Sequence, residues 1–213
     1  STRVRSSAAS DVYKRQVWRS RMKFQKYMAV GILGLTMALG FSGCQSENQK
    51  NQDAYRKIGI NSMAEGDYDK AVKSFQKALD TSLGKIGAEE IDICYYKAAA
   101  QFAKKDYDGA IETYTSLIDY DKENANAYYL RGSVYLDTDK KDKAFKDYKN
   151  AVKYAGREYE IYEGIYENLT NKGETEEAKN YLKKALDIKP KDGADYAEQG
   201  HVYYLCLLYT SPS

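Results

Sequence analysis

Histidine occurs once and cysteine three times in 213 residues, which leaves little material for metal or thiol chemistry. A nucleophilic thiol needs a base beside it, and the single histidine, His201, lies far along the chain from Cys94. Cys94 adjoins Tyr95 and Tyr96 in a helical pattern and reads as a small core residue. Histidine, cysteine and carboxylates do not cluster at metal-ligand spacing, and both a glycine-rich phosphate loop and a Ser/His/Asp arrangement are missing. No catalytic residue, metal, cofactor or small-molecule substrate is therefore expected. Abundant Asp and Glu always supply adjacent pairs such as Glu89-Glu90, but neighbouring helical residues point apart.

A large excess of one charge is missing too, the formal net charge being +2. That figure includes an N-terminal stretch whose composition differs from the rest. Ser6 to Gln16 (SSAASDVYKRQ) resembles the translation of a transposase adapter used in sequencing libraries, and the residues before it fit the adjoining primer. Cys206 to Ser213 (CLLYTSPS) resembles the opposite adapter strand. Such segments are set apart from fold reasoning like any fusion scar. The expected organisation is adapter-derived sequence over 1–16, translated leader over 17–21, a signal peptide over 22–43 and a lipidated tether over 44–52. A repeat array over 53–204 and a second adapter-derived stretch over 205–213 complete it.

The signal-peptide reading rests on a basic start at Met22-Lys23-Phe24-Gln25-Lys26, followed by an apolar run from Tyr27 to Phe41. A bilayer core needs about 20 apolar residues, so this glycine-interrupted run suits secretion better than spanning. Phe41-Ser42-Gly43-Cys44 then resembles the bacterial lipoprotein lipobox, although Phe41 stands where Leu is usual. By that resemblance the chain is cut after Gly43 and Cys44 is diacylated, and two acyl chains anchor stably where one does not. The resemblance implies an extracytoplasmic protein tied to the membrane. Gln45 supplies no Asp-type retention signal, so outer-membrane placement in a two-membrane cell fits as well. The polar stretch Gln45–Gln52 has too little apolar area to fold by itself and reads as a tether of about 15 Å.

Residues 1–43 carry eight of the 33 basic and one of the 31 acidic residues, so the remainder holds 25 basic against 30 acidic, net −5. Nucleic-acid binding needs a basic face that displaces counterions, so that class is set aside. With Cys44 lipidated and Cys206 adapter-derived, no disulfide can form within the mature part.

What the chain does have is a repeat. Gly66-Asp67-Tyr68-x-x-Ala71, Asp106-Tyr107-x-x-Ala110, Asp139-x-Lys141-x-x-Ala144 and Gly173-x-Thr175-x-x-Ala178 share one pattern, the last three 34 residues apart. A ring or Leu follows each alanine four residues on (Phe75, Tyr114, Tyr148, Leu182), and a small-apolar pair closes each unit. A period of 34 built from two short amphipathic helices resembles the tetratricopeptide repeat. The resemblance implies an all-α superhelix of about four and a half helix-turn-helix repeats, near 53–80, 89–120, 125–154, 158–190 and 193–204. Expected helices run over 53–64, 68–80, 89–103, 107–120, 125–137, 141–154, 158–171, 175–188 and 193–204. Gly59, Gly132 and Gly200 are expected at close helix approaches, Gly66 and Gly173 at turns of positive φ. The second repeat is weakest, with Cys94 where a ring is usual and a longer connection over Thr81–Glu90.

In this family the first helix of each repeat lines a concave groove. The resemblance places Arg56, Ile60 and Met63, Tyr95, Ala99 and Phe102, and Tyr129, Ser133 and Leu136 there. Glu160, Glu163 and Glu167 follow, sharing a helical face by their spacing. The expected occupant is an extended peptide, apolar against Tyr95, Phe102 and Tyr129 and basic against the glutamates. The carboxylate clamp of chaperone-binding members is absent, its places being taken by Ile60, Ala99 and Ser133. The expected function is a membrane-anchored scaffold that holds a protein or peptide partner for envelope assembly. The alternative is the targeting arm of a longer enzyme continuing past Tyr204.

Overall fold

Asp67, Asp106 and Asn124 each turn a side-chain oxygen back onto a backbone N–H three residues on, at 3.0–3.1 Å, and thereby start a helix. The computed structural model describes residues 47–82, 84 and 86–210. Cys44 and the expected signal peptide lie outside them. The described residues form α1 (Glu47–Glu65), α2 (Tyr68–Asp80), α3 (Ala88–Ala103), α4 (Tyr107–Tyr120), α5 (Ala125–Asp137) and α6 (Lys141–Tyr154). Then come α7 (Tyr159–Asn171), α8 (Thr175–Leu186) and α9 (Gly193–Thr210). Among the described residues there is no strand, and no helix is long and apolar enough to cross a membrane.

The helices pair as hairpins, α1 with α2 through α7 with α8, and α9 stands last without a following partner. All four hairpin turns share one closure. The residue after the turn donates its N–H five residues back, Asp67 to Ser62, Asp106 to Gln101, Lys140 to Tyr135 and Glu174 to Leu169, at 2.8–2.9 Å. This closure requires a residue of positive φ, supplied by Gly66 (80°), Lys105 (68°), Asp139 (58°) and Gly173 (83°).

Close approach explains Gly59 and Gly132 inside the first helices, whereas a Cβ on Gly200, expected at a third such approach, meets nothing within 4 Å among the described residues. A methyl group on Gly59 would lie 2.5 Å from Phe75 Cε1, and one on Gly132 would lie 2.9 Å from Tyr148 Cδ1. The fourth repeat inverts the sizes, with Tyr166 in the first helix and Leu182 in the second, both buried in one cluster. Each repeat also seals itself with the next first helix. Ile93 and Ala100 join the first repeat's core, Ala127 and Val134 the second's, and Val202 that of the third and fourth.

Three of the four successive first-helix pairs touch, α1 with α3, α5 with α7 and α7 with α9, while no two second helices come comparably close. The array therefore curves with its first helices on the inside.

Two boundaries differ from expectation. The tether is helical from Glu47, and Gln52, buried, donates to Glu90 Oε1 at 2.7 Å. The segment has no need to fold alone, because extending an existing helix avoids the cost of nucleation. At the other end α9 continues through 205–210, and Leu205 and Cys206 pack partly against the core.

Candidate functional site

The inner face is built from positions that recur once per first helix. Of the residues expected on it, Arg56, Ile60, Met63, Tyr95, Phe102 and Ser133 are half-buried. Glu160 is half-exposed and Glu167 exposed. Four expected lining residues are instead interior. Ala99 (0 % exposed), Tyr129 (4 %), Leu136 (2 %) and Glu163 (5 %) are covered by neighbouring elements. Helical periodicity tells which residues share a face, but coverage depends on what packs against that face, as Tyr148 and Asn168 do on Tyr129 and His201 on Glu163.

The covered positions are tied by specific bonds. Tyr129 stacks at a tilt on Tyr148, ring centroids 6.3 Å apart. Asn168 Nδ2 donates to Ser133 Oγ at 2.8 Å and lies 3.4 Å from the Tyr148 hydroxyl and 3.5 Å from that of Tyr129. Asn168 occupies the position that is Ala100, Val134 and Val202 in α3, α5 and α9 and an exposed Asn61 in α1, and at this buried interface it forms a polar junction. Sequence reasoning passed over it, although the 34-residue register singles it out. Glu163 Oε1 meets His201 Nδ1 at 2.7 Å, joining α7 to α9. The three glutamates expected on one basic-binding patch are thus divided, Glu163 serving the interface and Glu160 and Glu167 the surface.

Toward the first repeat the face carries both charges. Arg56 donates from Nε to Asp92 Oδ2 at 3.0 Å and stands 5.3 Å over the Tyr96 ring. Burial works against the Arg56 charge, but the bonded Asp92 more than restores it, so its pKa lies above the ordinary value. Partial burial pushes Glu89 up to about 7, helped by a hydrogen bond and charge repulsion with Asp53 and by nearby Glu90. Tyr95, placed as a peptide anchor, donates its hydroxyl to Asn124 Oδ1 at 2.6 Å, and burial raises its pKa well above the usual phenol value. Its tip thereby fastens α3 to the start of α5.

Cys94 is half-buried against the second repeat's core, and burial raises its thiol pKa. Among the described residues no three His, Cys, Asp or Glu side chains are grouped to hold a metal ion.

Comparison with known proteins agrees with this geometry. A family model described as "Tetratricopeptide repeat" matches residues 53–82, 125–157 and 167–192, and one described as "TPR repeat" matches 98–139. Together they span more than half of the chain. The chain is a tetratricopeptide-repeat protein. Solved structures with a similar fold include MamA, at 26% identity over 64% of this chain and 77% of that one, TM-score 0.51. MamA residues 41-end from Desulfovibrio magneticus RS-1 match at 18% identity over 88% of this chain and 97% of that one, TM-score 0.52. The thermophilic tetratricopeptide-repeat protein TTC0263 of Thermus thermophilus matches at 17% identity over 73% and 82%, TM-score 0.51. No curated protein matches the sequence. The tetratricopeptide array makes an interaction surface, because stacked repeats leave a long inner face that binds protein or peptide partners.

Proposed function

We propose that this tetratricopeptide-repeat protein is an extracytoplasmic scaffold, held to a membrane by lipid on Cys44, that grips an extended peptide of another envelope protein. The observation that carries the binding reading is the inward curvature of the first helices. By the repeat register, half-buried apolar Ile60, Met63 and Phe102 and exposed acidic Glu167 belong to that inner side. Apolar side chains of the peptide seat against the former, and a basic residue meets Glu160 and Glu167. Phe41-Ser42-Gly43-Cys44 behind a basic start and an apolar run supports the anchor.

Selection from a displayed peptide library tests the groove. Enriched peptides should combine apolar and basic residues, and Ile60→Ser with Phe102→Ser should weaken their binding at least tenfold while helicity is kept. Binding that survives both substitutions overturns the groove reading. The anchor is checked separately by metabolic labelling with a fatty acid, which Cys44→Ala should abolish.

A further inference from the structure

The first hairpin carries a cleft built from other residues than the inner face. Tyr55 and Ile58 of α1 and Lys70, Lys73, Ser74 and Lys77 of α2 line this open cleft of about 460 Å³. Ile58 is 40 % exposed, and the three lysines, spaced i, i+3 and i+7, share one helical face and are exposed. Ser74 is buried, its hydroxyl donating to the Lys70 carbonyl at 2.7 Å. Lys77 Nζ stands 5.5 Å over the Tyr55 ring. Two acids also line the cleft, and both are engaged. Asp67 Oδ1 receives the Lys70 N–H at 3.0 Å, and Asp69 pairs with Lys104 at 2.8 Å. Among the described residues none of the three lysines is ion-paired.

The third repeat uses the same positions differently. There Arg131 and Asp147 stand at the places of Ile58 and Ser74 and bond to each other, and Asn150 stands at that of Lys77. The first repeat lacks the buried carboxylate and its guanidinium, and it adds a third lysine. What remains is a strip of unpaired cations beside an apolar edge. Such a strip suits a membrane interface, where anionic headgroups lie directly above hydrocarbon. Cys44 lies only 11 residues before Tyr55. Residues 44–213 carry 25 basic against 30 acidic residues, so an anionic bilayer repels the array as a whole and admits it by a basic face alone.

We infer that this cleft faces the membrane, with Lys70, Lys73 and Lys77 on anionic lipid headgroups and Ile58 and Tyr55 in the interfacial layer. The inference rests on the reading of Cys44 as a lipid anchor, which brings the hairpin close to the bilayer. It also fixes an orientation. Ile58 lies about 17 Å along the axis of α1 from Glu47, so an upright helix would hold the lysines beyond the screening length of about 8 Å. The first hairpin therefore lies along the bilayer.

The test reads the acylation rate of each lysine by mass spectrometry, with the full chain in lipid nanodiscs and a soluble amine reagent. Replacing about a third of the phosphatidylcholine by phosphatidylglycerol should slow Lys70, Lys73 and Lys77 about fivefold, the gain of one lysine at an anionic surface. The exposed Lys149 and Lys189 should stay within twofold. Molar salt should abolish the protection. Lys73→Glu should return Lys70 and Lys77 to within twofold of their rates in neutral nanodiscs, with the thermal midpoint unaltered. Rates that ignore the anionic lipid, or protection that Lys149 and Lys189 share, overturn the inference. So does equal protection by soluble polyglutamate in neutral nanodiscs, since an acidic protein segment is then the occupant. Fatty-acid labelling separates the two readings. Labelled Cys44 with unprotected lysines overturns the surface and keeps the anchor, and protected lysines on an unlabelled chain do the reverse.

Discussion

The third and fourth repeats solve one packing problem with opposite materials. Where the third has Gly132 beneath Tyr148, the fourth has Tyr166 with Leu182. Where the third has Arg131 bonded through Nε and Nη2 to both oxygens of Asp147 at 2.7 and 2.8 Å, the fourth has Ile165 and Tyr181. Each of these partners lies 34 residues from its counterpart. The repeat therefore fixes the volume at a helix crossing and the satisfaction of its polar groups, and leaves residue identity open. Arg131 is held further by Thr115 Oγ1 at 2.9 Å and by the rings of Tyr128 and Tyr135, so the ion pair reaches back to the second repeat.

The largest effect should come from forcing one repeat's solution onto half of the other. Tyr166→Gly removes a buried ring, at about 3–5 kcal/mol, and places Gly inside a helix for about 1 kcal/mol more. Adding Leu182→Tyr rebuilds the third repeat's arrangement and should recover more than half of the loss in urea denaturation. No recovery means that the two crossings differ in more than the size of their residues.

Breaking the ion pair comes next. Asp147→Ala leaves a guanidinium with a 15 % exposed side chain unpaired, at about 3–5 kcal/mol. Arg131→Ile with Asp147→Tyr copies the fourth repeat and should lie near the wild-type midpoint, as apolar replacement of buried pairs often does. A double variant as weak as the single one dissolves the equivalence.

The hairpin turns offer a smaller, stabilising change. Lys105→Gly and Asp139→Gly bring the second and third turns to the glycine of the first and fourth. Relief of the left-handed conformation should gain up to about 1 kcal/mol each. Thermal midpoints that fall would show that the side chains contribute more than the backbone loses.

Smallest is a pH effect confined to the α1–α3 contact. The folded pKa of Glu89 is raised to about 7 from an ordinary 4.5, so between these values the folded chain binds more protons than the unfolded one. Its contribution is complete below about pH 4.5 and is lost as pH rises through about 7. Glu89→Gln should flatten this part of the stability profile between pH 5 and pH 8, measured by denaturant midpoints. An unaltered slope assigns it to other groups.

The helix pairs, their turns and the close approaches at Gly59 and Gly132 were legible in the sequence, because spacing and residue size carry them directly. The inner face was legible only in part. Ala99, Tyr129, Leu136 and Glu163 share its helical phase with Ile60 and Glu167, yet packing against other helices buries them. Such coverage is a property of stacking that a single helix cannot express. The size inversion at Tyr166 and Leu182 escaped for a related reason, since each residue departs from the pattern and only the pair conforms. Residues 47–52 carry too little apolar area to fold by themselves, and they are helical because they extend α1 instead of nucleating a helix of their own.

One oxygen atom gives the array an unexpected kinetic property. Asn124 Oδ1 receives both the Ala127 N–H that starts α5 and the Tyr95 hydroxyl of α3. A transient opening of the second repeat withdraws Tyr95 and loosens the cap of the third in the same motion. Breathing at this junction is therefore shared by two repeats, and a protease or an exchange reagent meets them as a single cooperative unit.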